Sequence, residues 1–212
     1  MDFGLKNRAA LVMGGTKGLG RSIADALAEE GAALTISGRD QGRLDEAAAA
    51  LRAKGAASAI GVVADVASGE AMDRLAEAAV AAMGNVDILV LNHGGPPQCT
   101  ASEMAEAQLV EWFQHIVVSP IRIANKLLPA MRARGWGRII VVGSTGMQQP
   151  IPNLALSNTL RASIWAWLKT MSGEVAKDGV TMNVLAPGAV QLNRAVVTDR
   201  NVDSPPVRSR ST

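Results

Sequence analysis

Gly14-Gly15-Thr16-Lys17-Gly18-Leu19-Gly20 is the stretch whose residue types and spacing point most directly to chemistry. Glycines at this density let backbone pass close to a bulky anion. A helix opening at Gly18 would add unpaired N–H groups and a partial positive charge, which suits a pyrophosphate. The apolar run Ala9 to Met13 precedes the turn, and a helical stripe of Leu19, Ile23, Ala26 and Leu27 follows it. Between strand and helix, a glycine cluster reads as dinucleotide binding rather than an ordinary turn. The next apolar run, Ala33 to Ser37, closes on Gly38-Arg39. An acid there would accept from the ribose 2′-hydroxyl of NAD, whereas an arginine suits a 2′-phosphate. Arg39 as a fork and Lys17 as a point charge are expected to converge on that phosphate. NADP(H) is therefore the expected cofactor, ahead of NAD(H). Asp40 is the counter-candidate: turned inward it would serve a 2′-hydroxyl, but the preferred reading makes it the N-cap of the following helix.

Residues that bind a dinucleotide need a sheet to carry them. Further short apolar runs occupy Ala59 to Val63, Val86 to Leu91, Arg138 to Val142 and Val180 to Leu185. Between them lie helical patterns: residues 41–54, the stripe Met72, Leu75, Ala79 and Met83, residues 102–132 interrupted by Pro120, and the stripe Leu160, Ile164, Leu168, Met171 and Val175. Alternation of this kind, with strands apolar along their whole length, predicts a parallel sheet covered on both faces: a doubly wound, Rossmann-like α/β fold of about six strands. One domain over residues 1–197 is expected, with a disordered polar tail over 198–212.

Composition narrows the classes. The chain has 212 residues, enough for one core, and 48% of them are hydrophobic. The net charge of +2 includes Arg200, Arg208 and Arg210 near the end, and no helix carries a basic stripe, so nucleic acid is not an expected partner. No apolar run is long enough to cross a bilayer, and no leader-like segment opens the chain. Cys99 is the only cysteine, lacks a cationic neighbour in sequence and is read as inert. A cytoplasmic location is the expectation. There is no tyrosine.

Several motifs in order give the chain a recognisable pattern. Gly14-x-x-x-Gly18-x-Gly20, Asp65-Val66, Asn92-His93-Gly94-Gly95, Ser144 and Pro187-Gly188 occur at the ends of successive predicted strands. In this the chain resembles the short-chain dehydrogenase/reductase family, of the 3-oxoacyl-(acyl carrier protein) reductase-like kind. The resemblance implies that Asp65 and Val66 touch adenine, that Asn92 and Gly94 border the cofactor, and that Pro187 and Gly188 line the nicotinamide. It also implies a homo-dimer or tetramer, with Trp165 as an exposed anchor on a helix through which the family pairs. The family's catalytic set is Asn, Ser, Tyr and Lys. Here Ser144 matches the serine, Ser157 stands thirteen residues on at the tyrosine position, Arg161 takes the lysine position, and Ser119 takes the asparagine position.

Those substitutions change the chemistry. Reduction of a carbonyl leaves an alkoxide that needs a proton, which a tyrosine normally gives. A serine hydroxyl is a much weaker acid, and arginine does not release its proton. Ser144 would still polarise the carbonyl, Arg161 would hold the cofactor ribose and stabilise negative charge, and a water relay through Ser119 and Ser157 would deliver the proton. Such a water would sit by the Ile116 carbonyl that Pro120 frees; the simpler reading is that Pro120 only bends its helix. Met147, Ile151 and Leu154 are expected to line an apolar substrate side. His93 is read as a loop histidine with a structural hydrogen bond, His115 as structural or surface, and no metal site is expected. Two functions fit: an NADP(H)-dependent oxidoreductase acting on a small carbonyl or alcohol, or an NADP(H)-binding sensor or structural subunit without catalysis.

Overall fold

The computed structural model describes residues 3–188; the expected tail over 198–212 and the boundary at 197 lie outside the described residues. Strand and helix alternate as β1 (Ala9–Val12), α1 (Gly18–Glu29), β2 (Ala33–Gly38), α2 (Gln41–Ala53), β3 (Ser58–Val63), α3 (Gly69–Met83) and β4 (Ile88–Leu91). The order continues with α4 (Glu106–Phe113), α5 (Ser119–Ala133), β5 (Gly137–Val142), α6 (Ala155–Val175) and β6 (Val180–Leu185). The six strands form one sheet in the order β3-β2-β1-β4-β5-β6, and every pair is parallel. This is the doubly wound α/β fold. Its winding reverses between β1 and β4, so the loops after these strands part and leave a crevice at the carboxyl ends, where such sheets bind ligands.

The core divides by strand alternation. Ala10 and Val12 face α1 and α2, while Leu11 and Met13 face α3, α5 and α6. All four residues of β1 and of β4 are buried. Coverage of both faces does not extend to the margins: β3 and β6 alternate buried and exposed residues. Edge strands lie beyond the reach of one helical layer, which leaves Ile60, Val63 and Leu185 exposed.

Helix ends follow local chemistry. Asp40 Oδ1 accepts from the Arg43 N–H at 2.8 Å, so this aspartate is the N-cap of α2. Ser68 Oγ accepts from the Ala71 N–H at 3.2 Å at the start of α3. The expected break at Pro120 takes a different form. A π-turn over Gln114–Val118 joins α4 to α5, with the Ser119 N–H bonded to the Gln114 carbonyl five residues back, and Pro120 sits in the first turn of α5. Proline is tolerated in a first turn, and π-turns concentrate near functional sites.

Candidate functional site

The glycine turn is held from three sides. Gly14 and Gly18 have φ of +62° and +59°, values that favour glycine. The Gly15 N–H donates to the Ser37 carbonyl at 3.0 Å. Asn92 Nδ2 donates to the Met13 carbonyl at 3.1 Å and the Gly14 carbonyl at 3.4 Å, so the end of β4 braces the turn that follows β1. No side chain caps α1 and its first turn holds no acid, which leaves the opening N–H groups to an external anion. Leu19 packs on the α1–α2 side of the core. Thr16 lies against Gly38, where an added Cβ would stand 3.1 Å from the Thr16 methyl. Lys17 and Arg39 are both exposed, and neither forms an ion pair among the described residues. A dinucleotide pyrophosphate fits this cradle.

The second cluster lies at the ends of β4 and β5. Arg161, in the second turn of α6, is buried. Its Nη1 donates to the Val142 carbonyl at 2.8 Å and its Nε to Ser157 Oγ at 3.3 Å. Burial pushes its pKa below the usual arginine value, yet a guanidinium stays charged. No Asp, Glu, Lys or Arg occurs from Gly143 to Leu160 or from Asn92 to Thr100, and among the described residues Arg161 has no carboxylate partner. Ser144 Oγ accepts from the Gly146 N–H at 3.1 Å. Both serine oxygens thus accept from the protein, and neither hydroxyl proton has an acceptor among the described residues.

His93 donates from Nδ1 to the Gly94 carbonyl, 2.7 Å away, which agrees with the structural reading and leaves Nε2 as an acceptor. Desolvation of this half-buried ring, with the Arg161 charge as a second cause, lowers its pKa to about 4. It is neutral at physiological pH and cannot serve as the missing acid. A histidine charged more readily when unfolded destabilises the fold as pH drops from about 6.5 towards 4. The melting temperature should therefore fall through that window, and His93→Asn should flatten the fall in a pH series of thermal scans.

The remaining expected residues separate. Ser119 is fully buried; its hydroxyl donates to the Val66 carbonyl at 2.6 Å and accepts from Gln114 Nε2 at 2.9 Å. Its one proton is committed, so the relay through Ser119 is not formed: the π-turn and the loop after β3 claim it. Asp65 Oδ1 accepts from the Ala67 N–H at 3.0 Å. Gly94 and Gly188 border open space, and Pro187 is half-buried. Met147, Ile151 and Leu154 are half-buried. Trp165 is half-buried rather than exposed, with Lys169 Nζ 5.1 Å from its ring centre. His115 packs edge-on to Trp112 at 4.9 Å. Cys99 works through its backbone, pairing with Leu154 across a one-residue bridge.

Two residues of the site escape sequence reasoning. Gln114 holds Ser119, and Asn158 bonds both the N–H and the carbonyl of Ile151, at 3.3 and 2.9 Å. A polar side chain in the first turn of a helix after Pro-Ile-Pro-Asn is a faint signal for the second, and nothing local marks the first. Among the described residues no cluster of His, Cys, Asp and Glu could hold a metal, and no helix is long and apolar enough to cross a membrane. A cavity of about 750 Å³ lies elsewhere, bounded by Phe3, Leu27, Ile88, Trp136, Ile140 and Leu185, and includes none of these groups.

The family model for short chain dehydrogenases matches residues 8–201. The chain belongs to this family. Dehydrogenase/reductase SDR family member 4 of Sus scrofa is 33% identical over 190 residues, which cover 89% of this chain and 68% of that protein. L-sorbose reductase from Gluconobacter frateurii, solved with NADPH and L-sorbose, is 34% identical with a TM-score of 0.87, covering 91% of this chain and 73% of that one. A 3-oxoacyl (acyl-carrier-protein) reductase from Agrobacterium tumefaciens C58, with NADP bound, is 30% identical with a TM-score of 0.85, covering 91% of this chain and 74% of that one.

Proposed function

We propose that the protein is an NADP(H)-dependent oxidoreductase that reduces a carbonyl, or oxidises the matching alcohol, with an oxyanion site in place of a tyrosine acid. The observation that carries this reading is the buried charge of Arg161, which has no carboxylate partner among the described residues and is bonded to Ser157 Oγ and anchored on the Val142 carbonyl. Solved relatives with NADPH or NADP bound, and the unpaired Lys17 and Arg39, support the phosphorylated cofactor.

When bound there, the nicotinamide supplies or accepts the hydride. The chain's own groups handle the oxygen. Ser144 and Ser157 donate their hydroxyl protons to the substrate oxygen, and Arg161 strengthens the Ser157 donor while balancing the charge of the alkoxide. Water protonates the alkoxide, leaving hydroxide, since neither His93 nor Arg161 releases a proton near neutral pH. Half-buried Met147, Ile151 and Leu154 favour an apolar ketone or a 3-oxoacyl thioester.

Fluorescence titration with NADPH and NADH, followed by a panel of those substrates, tests the proposal. NADPH should bind more tightly than NADH, and Ser144→Ala should lower turnover by about 10²–10³. The kcat/KM profile for reduction should be flat from about pH 6 to 9, because no ionising acid sits in the site. A bend in that range would refute water as the proton source. NADPH binding without turnover on any substrate would favour the non-catalytic, nucleotide-sensing reading.

A further inference from the structure

One face of α5 runs along the β3–α3 connection like a rail. Ser119, Arg122 and Lys126 recur at spacings of three and four, so they share that face. They meet successive points of the neighbouring segment. Ser119 Oγ reaches the Val66 carbonyl at 2.6 Å. Arg122 lies against Gly69, where an added Cβ would stand 2.5 Å from Nη1, and pairs with Asp73 at 2.6 Å. Lys126 pairs with Glu77 at 2.6 Å. The two ion pairs are solvent-exposed and contribute little. The Ser119 side chain is buried, its bond to Val66 spans 53 positions, and Gln114 completes it.

The loop it grips is otherwise bonded mainly to itself. Asp65 Oδ1 caps the Ala67 N–H, the Ser68 N–H returns to the Asp65 carbonyl at 3.1 Å, and Ser68 caps α3. The half-buried Val66 carbonyl is its hydrogen-bonded anchor to another element. We infer that Ser119, supported by Gln114, is a positioning residue for the adenine end of the cofactor, and that it sets the height of the Asp65-Val66 loop rather than acting on the substrate. This rests on the cofactor reading above and on Asp65 and Val66 facing adenine.

The test is isothermal titration of the full chain with NADPH and with adenosine 2′,5′-bisphosphate, which carries the adenine half alone. Ser119→Ala should raise both dissociation constants by the same factor, about three- to tenfold for one lost hydrogen bond. Asp73→Ala, which cuts an exposed contact of the same helix pair, should change neither. An unchanged constant for the bisphosphate in Ser119→Ala would overturn the inference, as would an equal loss in Asp73→Ala. If Ser119→Ala does not fold, Gln114→Ala is titrated instead. It should shift both constants in the same direction by a smaller factor, and an unshifted pair overturns the inference. Wild-type protein that binds neither ligand would overturn the cofactor reading itself.

Discussion

An alanine at position 20 is expected to weaken NADPH binding by about 100-fold or more. Its Cβ would stand 2.3 Å from the Gly14 carbonyl oxygen and 2.5 Å from Asn92 Nδ2. Neither neighbour can yield. The Gly14 carbonyl belongs to a turn held at positive φ, and Asn92 is bonded to the Met13 and Gly14 carbonyls. Relief requires α1 to move away from β1 or the turn to open, and both displace the N–H groups that would face the pyrophosphate. Losing two charge-assisted hydrogen bonds at ~1.5–3 kcal/mol each accounts for the factor. The same crowding should cost about 1–3 kcal/mol of stability. Gly173→Ala is the control: it is helical, nothing lies within 4 Å of an added Cβ, and alanine there should be neutral or stabilising. Titration of both variants with NADPH, beside their melting curves, decides the matter. Wild-type affinity in Gly20→Ala would mean the turn is not the phosphate cradle.

Arg161→Met is expected to lower turnover by about 10²–10³, the usual effect of removing a preorganised oxyanion donor, while the melting temperature moves little. Two opposing effects explain the second half. The substitution removes a buried charge that lacks a counter-ion among the described residues, which relieves desolvation. It also leaves the Val142 carbonyl without its donor, which costs about 1–3 kcal/mol. Arg161→Lys keeps the charge but not the fork that spans Val142 and Ser157, so it should retain intermediate activity. Steady-state kinetics at saturating NADPH would measure both. Equal turnover in wild type and Arg161→Met would remove the guanidinium from the mechanism. A large loss of melting temperature in Arg161→Met would make it a structural residue instead.

Local patterns in the chain were enough for the framework. Apolar runs located the strands closely and 3.6-residue stripes located the helices, because strand and helix periodicities are properties of neighbours in sequence; the start of α4 was set early and that of α6 late. Asp40 could be read as a cap for the same reason: its partner, Arg43, is three residues away. Ser119 could not be read so. Its partners are Gln114 across a π-turn and Val66 in another layer, and a hydroxyl alone does not reveal which acceptor will claim its proton. The margins of the sheet were misjudged for a related reason, since an apolar run does not say whether a helix will cover both its faces.

By itself the sequence determined a parallel α/β sheet, a glycine turn between first strand and first helix, and the absence of any tyrosine to act as an acid. Each is a matter of residue type and short-range spacing. The tertiary structure alone decided that Asn92 braces the glycine turn from 78 residues away and that Arg161 is buried against the Val142 carbonyl. It also decided that His93 is held neutral and that Ser119 faces the β3–α3 loop instead of the substrate. These outcomes depend on which distant atoms share a dehydrated space, where desolvation and hydrogen-bond competition choose among partners that sequence spacing cannot rank.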